Sequence, residues 1–145
     1  MGPFAPDWSA CRGPERTDCE PKKKREAAYA EIQKIYLDDD EIALRTARLV
    51  QGLAERAAGH GVPFTADAAG SMWGFFFRAD PVRSFADAKT ANVERFRRFF
   101  HAALERGVYL APSPFEAAFL SAAHSDADVS LALERLDDAM RVAAS

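Results

Sequence analysis

The chain has 145 residues, of which 48% are hydrophobic and 28% are charged, as expected for one ordinary globular domain. Its formal net charge of −3 is too small to argue for a nucleic-acid partner or an acidic substrate. No apolar run is long enough to span a membrane, and the N-terminus has no apolar stretch of the secretory type. The expected location is therefore the cytoplasm.

The metal-binding residue types are too scattered to predict a metal site. Cys11 and Cys19 lie in a polar segment with no histidine nearby, and His60, His101 and His124 are far apart in the sequence. A zinc site needs several such ligands at short, regular spacings. We therefore expect no metal centre and interpret both cysteines as free thiols.

The sequence divides into three segments. Residues 1–22 contain four prolines, a density that predicts a disordered or loosely attached segment. Residues 23–41 carry apolar residues at helical spacing after a basic run, which we interpret as a solvated helix start. Residues 42–145 hold the remaining pattern and are predicted to form the main domain. Whether the helices on either side of Asp38–Asp40 are one or two is left open by the sequence.

Helical stripes recur three times within the main domain. The first covers Ile42–Ala57 and ends at Gly59-His60-Gly61. The second covers Ala91–Leu104, in a helix whose signals begin near Ser84–Asp87 and which ends at Gly107. A glycine at a helix end takes the left-handed conformation without a clash. The third begins after Ser125, a good N-cap residue, with Asp126 and Asp128 in its first turn.

Four short strands are predicted between these helices. Val62–Thr65 is expected to be an edge strand because Pro63 cannot donate a hydrogen bond, and the aromatic run Ser71–Phe77 is expected to be buried on both faces. Val108–Leu110 and Ala117–Ala123 flank a bend that contains two prolines. This order predicts an α/β (α+β) fold with a short, mostly antiparallel sheet and helices packed on one face.

One carboxylate stands out because it lies inside the apolar bend. Glu116 follows Phe115 and precedes Ala117, and a lone glutamate in a turn is ordinarily a solvated residue. His124 could act as a catalytic base only beside a nucleophile, and no serine or cysteine is positioned for that role. We therefore expect His124 to be structural. Ser71 and Met72 could border a pocket, but a strand of this composition is more often core.

Two stretches carry a family resemblance: GSMWGFFF at 70–77 and ADAKTANVERFRRFFHAALERGVYLAPSPFEAAFLSAAHSDADV at 86–129. They resemble the C-terminal end of the glutamate-1-semialdehyde 2,1-aminomutases, which belong to the class III pyridoxal-phosphate-dependent aminotransferases. The resemblance covers roughly residues 42–145. It implies the small C-terminal domain of a fold-type I aminotransferase, pyridoxal 5′-phosphate as the family cofactor, and homodimers in the family.

The resemblance also implies a role for Glu116. In the family, the carboxylate of the Phe-Glu-Ala motif points towards the active site and the cofactor. Pro114 stands here where the family commonly has a polar residue, and Ala118 stands where it usually has glycine. Both departures lie two residues from Glu116 and so affect the backbone around it.

The residues with which the family performs its chemistry have no counterpart in this sequence. The family uses a Schiff-base lysine and a phosphate cradle N-terminal to the matching region, and none of Lys22, Lys23, Lys24, Lys34 and Lys89 lies in the required context. We therefore expect a truncated homologue that is inactive by itself. The alternative is a non-catalytic interaction module that docks a separate large-domain chain. Either hypothesis predicts an apolar face for a missing large domain or for self-association.

Overall fold

The first helix of the protein is its longest element. In the computed structural model, which describes residues 20–145 (residues 20–26 and 28–38 by their backbone alone), α1 spans Glu20–Gly59. No glycine or proline interrupts it between residues 22 and 51, so the two stretches that flank Asp38–Asp40 form one continuous helix. Gly61, at φ 67°, ends the helix as the sequence predicted.

The chain divides into two units, Met1–Asp38 and Asp39–Ser145, and every element after α1 belongs to the second. Residues 1–19 of the predicted disordered segment lie outside the described residues. The division into segments 1–22, 23–41 and 42–145 stays a prediction. None of the helices in the described part of the chain is long and apolar enough to cross a membrane.

A tight hairpin follows α1. Strand β1 spans Thr65–Ala69 and pairs antiparallel with β2, Met72–Phe76, through a turn at Gly70 (φ 61°). The strand predicted at Val62–Thr65 therefore begins later than expected. The reason is that the Val62 N–H donates to Ala57 O at the end of α1, and Pro63 has no N–H to offer a ladder.

The two faces of β2 differ, so the prediction that this strand is buried on both faces was wrong. Trp73 and Phe75 are buried, and so is Phe77 just beyond the strand, whereas Met72 on the other face is 43% exposed. Successive side chains of a strand point to opposite faces. In the described residues the helices cover only the first of these faces, and the second stays open.

Two helices follow the hairpin, where the sequence predicted one helix starting near Ser84–Asp87. The helix is interrupted because Asn92 has an extended backbone and its side chain caps a new helix start. The short α2 spans Phe85–Ala88, with Ser84 as its N-cap, and α3 spans Val93–Glu105, with Asn92 as its N-cap. Phe99 of α3 is fully buried, and its ring contacts that of Phe75 in β2 with centroids 5.5 Å apart. This aromatic contact fixes α3 against the covered face of the sheet.

The third strand is much shorter than expected. Strand β3 consists of Ala118–Phe119, which pair with Trp73 and Met72 of β2. The strand predicted at Val108–Leu110 does not form, because the Val108 N–H turns back to Ala103 O and closes α3. The strand predicted at Ala117–Ala123 covers only Ala118–Phe119, although the N–H of the next residue, Leu120, still donates to Ser71 O.

The last helix completes the core. Helix α4 spans Asp126–Ala144, and its N-cap Ser125 and Asp128 form a reciprocal capping box. Leu136 and Met140 of α4 are fully buried together with Leu53 of α1. The structure thus confirms the predicted fold class: a short antiparallel sheet, β1-β2-β3, with helices on one face.

Candidate functional site

The open face of the sheet contains a depression of about 320 Å³. We call it the sheet depression. Its floor is formed by β1 and β2, and one wall is formed by the bend at residues 114–117. Its lining includes two carboxylates and three large apolar side chains: Asp67, Glu116, Met72, Phe76 and Phe115. Glu116, predicted from the sequence, therefore lies in the wall of a concave site.

Ser113 holds the bend that carries Glu116. Its hydroxyl oxygen accepts a hydrogen bond from the Phe115 N–H at 3.2 Å, and its carbonyl accepts one from the Glu116 N–H at 3.3 Å. Pro112 and Pro114 have no N–H, so fewer backbone donors in this turn require a hydrogen-bond acceptor. The small serine and the two prolines together fix the backbone from which the Glu116 side chain extends.

The Glu116 side chain itself is exposed. No ion pair or side-chain hydrogen bond among the described residues involves it. Its carboxylate is therefore free to meet a group brought to the sheet depression by another molecule. A glutamate with a structural role would instead be expected to hold a cation or a backbone N–H.

Large apolar side chains surround the sheet depression. Phe85 is 68% exposed and Phe115 is 46% exposed, and their ring centroids lie 6.0 Å apart. Phe119 of β3, opposite Met72, is 65% exposed. Contiguous exposed apolar groups of this kind are typical of surfaces that bind another molecule and are uncommon on the solvent-exposed surface of a monomer.

The sheet depression does not fit pyridoxal phosphate by itself. Its lining contains two carboxylates, Asp67 and Glu116, but neither lysine nor arginine. Lys89 stands elsewhere, with its Nζ 5.5 Å from the centroid of the Phe85 ring. A Schiff base needs an amine, and a phosphate needs cations or a cradle of backbone N–H groups. The residues present could therefore form one side of a cofactor site, but they include no group that would bind the cofactor itself.

The other residues considered from the sequence have structural positions. The Ser121 N–H donates to His124 Nδ1 at 3.1 Å, which fixes the turn before α4. His60 Nε2 lies 3.1 Å from Asp137 Oδ1, a contact that sequence spacing gave no means to find. Within residues 20–145 no group of three potential metal ligands is present.

Sequence reasoning missed part of the site. Met72, assigned to the core, borders the sheet depression, and so does Asp67, which lies opposite Gly74 in the hairpin register. The alternation along Ser71–Phe77 was a signal that Met72 and Phe76 share a face. Nothing in the sequence alone pointed to Phe85.

Among the residues whose side chains the structure describes, two carboxylates have clearly shifted pKa values, and both belong to helix caps outside the sheet depression. The Ser125 hydroxyl and then the Ser125 N–H lower the pKa of Asp128. The Arg83 N–H and the Ser84 hydroxyl lower the pKa of Asp87. In each case hydrogen bonds stabilise the ionised form.

Comparison with known proteins shows which proteins the chain resembles. It is 61% identical over 104 residues to glutamate-1-semialdehyde 2,1-aminomutase of Gemmatimonas aurantiaca, which is 72% of this chain and 24% of that enzyme. The same enzyme of Bordetella avium is 51% identical over 100 residues, 69% of this chain and 23% of the relative. No protein-family model matches. The chain thus spans about a quarter of the length of these relatives, and over that part the predicted resemblance is confirmed.

Solved structures agree on the fold. An omega-transaminase from Sphaerobacter thermophilus matches 75% of this chain and 25% of its own chain, with 20% identity and a TM-score of 0.62. The PLP internal aldimine form of the Sphingopyxis sp. MTA144 FumI protein matches 70% of this chain and 22% of its own, with 27% identity and a TM-score of 0.54. The small α/β architecture is therefore one found as part of larger transaminases.

Proposed function

From its homology to the glutamate-1-semialdehyde 2,1-aminomutases, we propose that this chain acts as the small domain of such an enzyme. The observation that carries the proposal is a match of 61% identity that is confined to a quarter of the relative. The sheet depression supports it, because it offers a carboxylate but no amine for a Schiff base. The 145-residue chain alone is accordingly inactive. Supplied with the rest of an aminomutase, it takes part in converting glutamate 1-semialdehyde to 5-aminolevulinate, in the cytoplasm.

Glu116 is the residue that this chain contributes to the reaction site. The bend held by Ser113 places its backbone at the wall of the sheet depression, and its carboxylate has no other partner among the described residues. A partner-free carboxylate can accept a hydrogen bond from, or pair with, a cation of the substrate or of the cofactor domain. Pyridoxal phosphate supplies the electron-accepting chemistry when the large domain binds it.

A second function is supported by the aromatic rim. Phe85, Phe115 and Phe119 keep large exposed surfaces around the sheet depression, which favours an interaction module that docks a separate large-domain chain. In this case the chain contributes binding and no reacting group. The two functions share the docking face and differ in whether Glu116 matters for turnover.

A complementation assay tests the proposal. The Gemmatimonas aurantiaca aminomutase, shortened by the quarter that matches this chain, is mixed with the purified 145-residue protein, and 5-aminolevulinate formation is followed. We expect product only when both polypeptides are present, and no Schiff-base absorbance band when pyridoxal phosphate is added to this chain alone. A band or product from the 145-residue chain alone would overturn its proposed inactivity.

The assay also separates the two functions. Co-elution of the two polypeptides without product would favour the docking module, and neither binding nor product would overturn both. Phe119→Gln serves as the docking control, because it removes an exposed ring and leaves Glu116 untouched. It is expected to weaken complex formation, whereas Glu116→Gln is expected to lower turnover within an intact complex.

A further inference from the structure

A second concave site lies beside β3, along α4. It has a volume of about 520 Å³ and is bounded by α4 and by the segments 107–111 and 117–120. We call it the α4 groove. Its size falls in the range of small-molecule sites, and its lining is mostly apolar with a few polar groups, as is usual for such sites. It shares Trp73 and Ala117 with the sheet depression, but Glu116 does not line it.

One face of α4 forms the long side of the groove. The lining residues Asp128, Leu131, Ala132 and Arg135 are spaced by three, four and seven positions, so they share one helix face. Seven residues of helix span about 10 Å. The groove therefore offers an apolar stretch of about 10 Å along α4 with a charged residue at each end.

Arg135 is the charged residue of the groove that could bind a ligand. It is half-buried, and no carboxylate among the described residues forms an ion pair with it. Its Nη1 lies only 3.2 Å from the point where a Cβ on Gly107 would be. Gly107 has φ 75°, so this position both requires glycine and leaves space for the guanidinium beside the backbone.

The polar groups at the other end are already engaged. Asp128 Oδ2 accepts hydrogen bonds from the N–H and the hydroxyl of Ser125, at 2.8 and 2.7 Å. His124 Nδ1 accepts from the Ser121 N–H. The groove thus has an arginine without an ion-pair partner among the described residues, an apolar middle, and a far end where Asp128 Oδ2 and His124 Nδ1 already accept hydrogen bonds.

We propose that the α4 groove binds an amphiphilic carboxylate. The carboxylate pairs with the Arg135 guanidinium, whose planar fork matches the two oxygens, and the apolar tail lies over Leu131 and Ala132. Burial of the tail supplies the non-directional part of the affinity, and Arg135 supplies the preference for an anion. This proposal does not rest on the proposed function, because Leu131, Ala132 and Arg135 lie outside the lining of the sheet depression, although Phe119 of its rim also lines the groove.

Tryptophan fluorescence gives a direct measurement on the full chain. Trp73 lines the α4 groove, and the only other tryptophan is Trp8, so a Trp8→Phe background reports on Trp73 alone. The probes are decanoate, decanol and decyltrimethylammonium, which share a tail and differ in head-group charge. We expect saturable binding of decanoate below its aggregation threshold. Its affinity should be about tenfold higher than that of decanol, and should exceed that of decyltrimethylammonium by a larger factor.

Trp73 also contacts the sheet depression, so variants must assign the signal. Arg135→Gln keeps the apolar stem and is expected to remove the preference for decanoate over decanol while leaving decanol binding unchanged. Arg97→Gln, an exposed arginine of α3, is the matched control and is expected to change nothing. A preference that survives Arg135→Gln, equal affinities for acid and alcohol, or no saturable signal would each overturn the proposal. A preference for the cation would instead assign the signal to the acidic sheet depression.

Discussion

Gly52 of α1 and Leu133 of α4 pack without room for even one more carbon. A Cβ built on Gly52 would lie 2.7 Å from Leu133 Cδ1 and 2.8 Å from Cδ2. Leu133 is buried, so its side chain has little free space to move into. Gly52 is therefore required for close approach of the two helices and not for its backbone conformation, which is helical.

We expect Gly52→Ala to destabilise the protein. Alanine would gain about 1 kcal/mol of helix propensity, but inserting a methyl group into a filled core costs about 1–3 kcal/mol. The net loss is expected to be about 1 kcal/mol, read from the urea midpoint followed by far-ultraviolet circular dichroism.

Gly59 provides the matched control for that measurement. A Cβ at Gly59 meets nothing within 4 Å, although the residue also lies in α1. Gly59→Ala is expected to leave the free energy of unfolding unchanged within about 0.5 kcal/mol, or to raise it slightly. Equal stabilisation by both substitutions would contradict the close packing at Leu133.

The capping box at the start of α4 leads to a second prediction. The Ser125 hydroxyl oxygen accepts from the Asp128 N–H at 3.2 Å, while the Asp128 carboxylate accepts from the Ser125 N–H. Ser125→Ala removes the cap and is expected to cost about 1 kcal/mol, seen as a lower melting temperature. Ser145→Ala at the other end of the chain is the control and is expected to have no measurable effect.

The pH dependence of stability follows from the same cap. The pKa values of Asp128 and Asp87 are lowered in the folded protein from an ordinary value of 3.8. The unfolded chain therefore takes up these protons first as the pH falls. The stabilisation is fully present above the unfolded pKa and is lost as the pH falls through the folded pKa.

The measurement is a series of urea midpoints between about pH 7 and about pH 3. We expect the midpoint to decrease at the acid end of the series, and Asp128→Asn to make that decrease shallower. The substitution removes the titrating group whose ionised form the Ser125 hydroxyl favours. An unchanged acid slope in Asp128→Asn would show that its hydrogen bonds do not stabilise the ionised form.

Local signals in the sequence predicted the elements that depend on local chemistry. The Ser125 cap and the stop at Gly107 need only nearby hydrogen bonds and φ angles. The position of Glu116 in a bend was also visible, since Pro112 and Pro114 restrict the backbone whatever surrounds them.

Features that depend on distant parts of the chain could not be predicted in this way. The extended preference of Val108–Leu110 is present, but no neighbouring strand pairs with it in the described structure, and the Val108 N–H instead closes α3. The open face of β2 likewise depends on what covers the sheet, which composition does not state. Asp67 enters the site only through its register opposite Gly74.

The exposed rim of the sheet depression predicts self-association of the isolated chain. Phe115 and Phe119 are large, exposed and close to Met72, and apolar rims of this kind drive association. Light scattering is expected to show a mass that rises with concentration, and Phe119→Gln is expected to reduce that rise. Tyr109→Ser, at an exposed ring outside the rim, is the control. A monodisperse monomer at all concentrations would contradict the prediction.

Glu116 allows a sharper test, because its structural and functional roles predict different results. The side chain is exposed and holds no partner among the described residues, so Glu116→Gln is expected to change the free energy of unfolding by less than about 0.5 kcal/mol. In the complementation assay the same substitution is expected to lower turnover about a hundredfold, the lower end of the range over which lost acid–base or electrostatic groups act. The measurements are a urea titration and initial rates at saturating large domain.

The control for this substitution is Glu134→Gln, which removes an equally exposed carboxylate from α4 outside both concave sites. It should leave stability and turnover unchanged. If Glu116→Gln lowers stability by more than about 1 kcal/mol, the carboxylate has a structural partner in solution. If turnover is unaffected while the complex forms, Glu116 is not part of the reaction site, and the docking function is the one that remains.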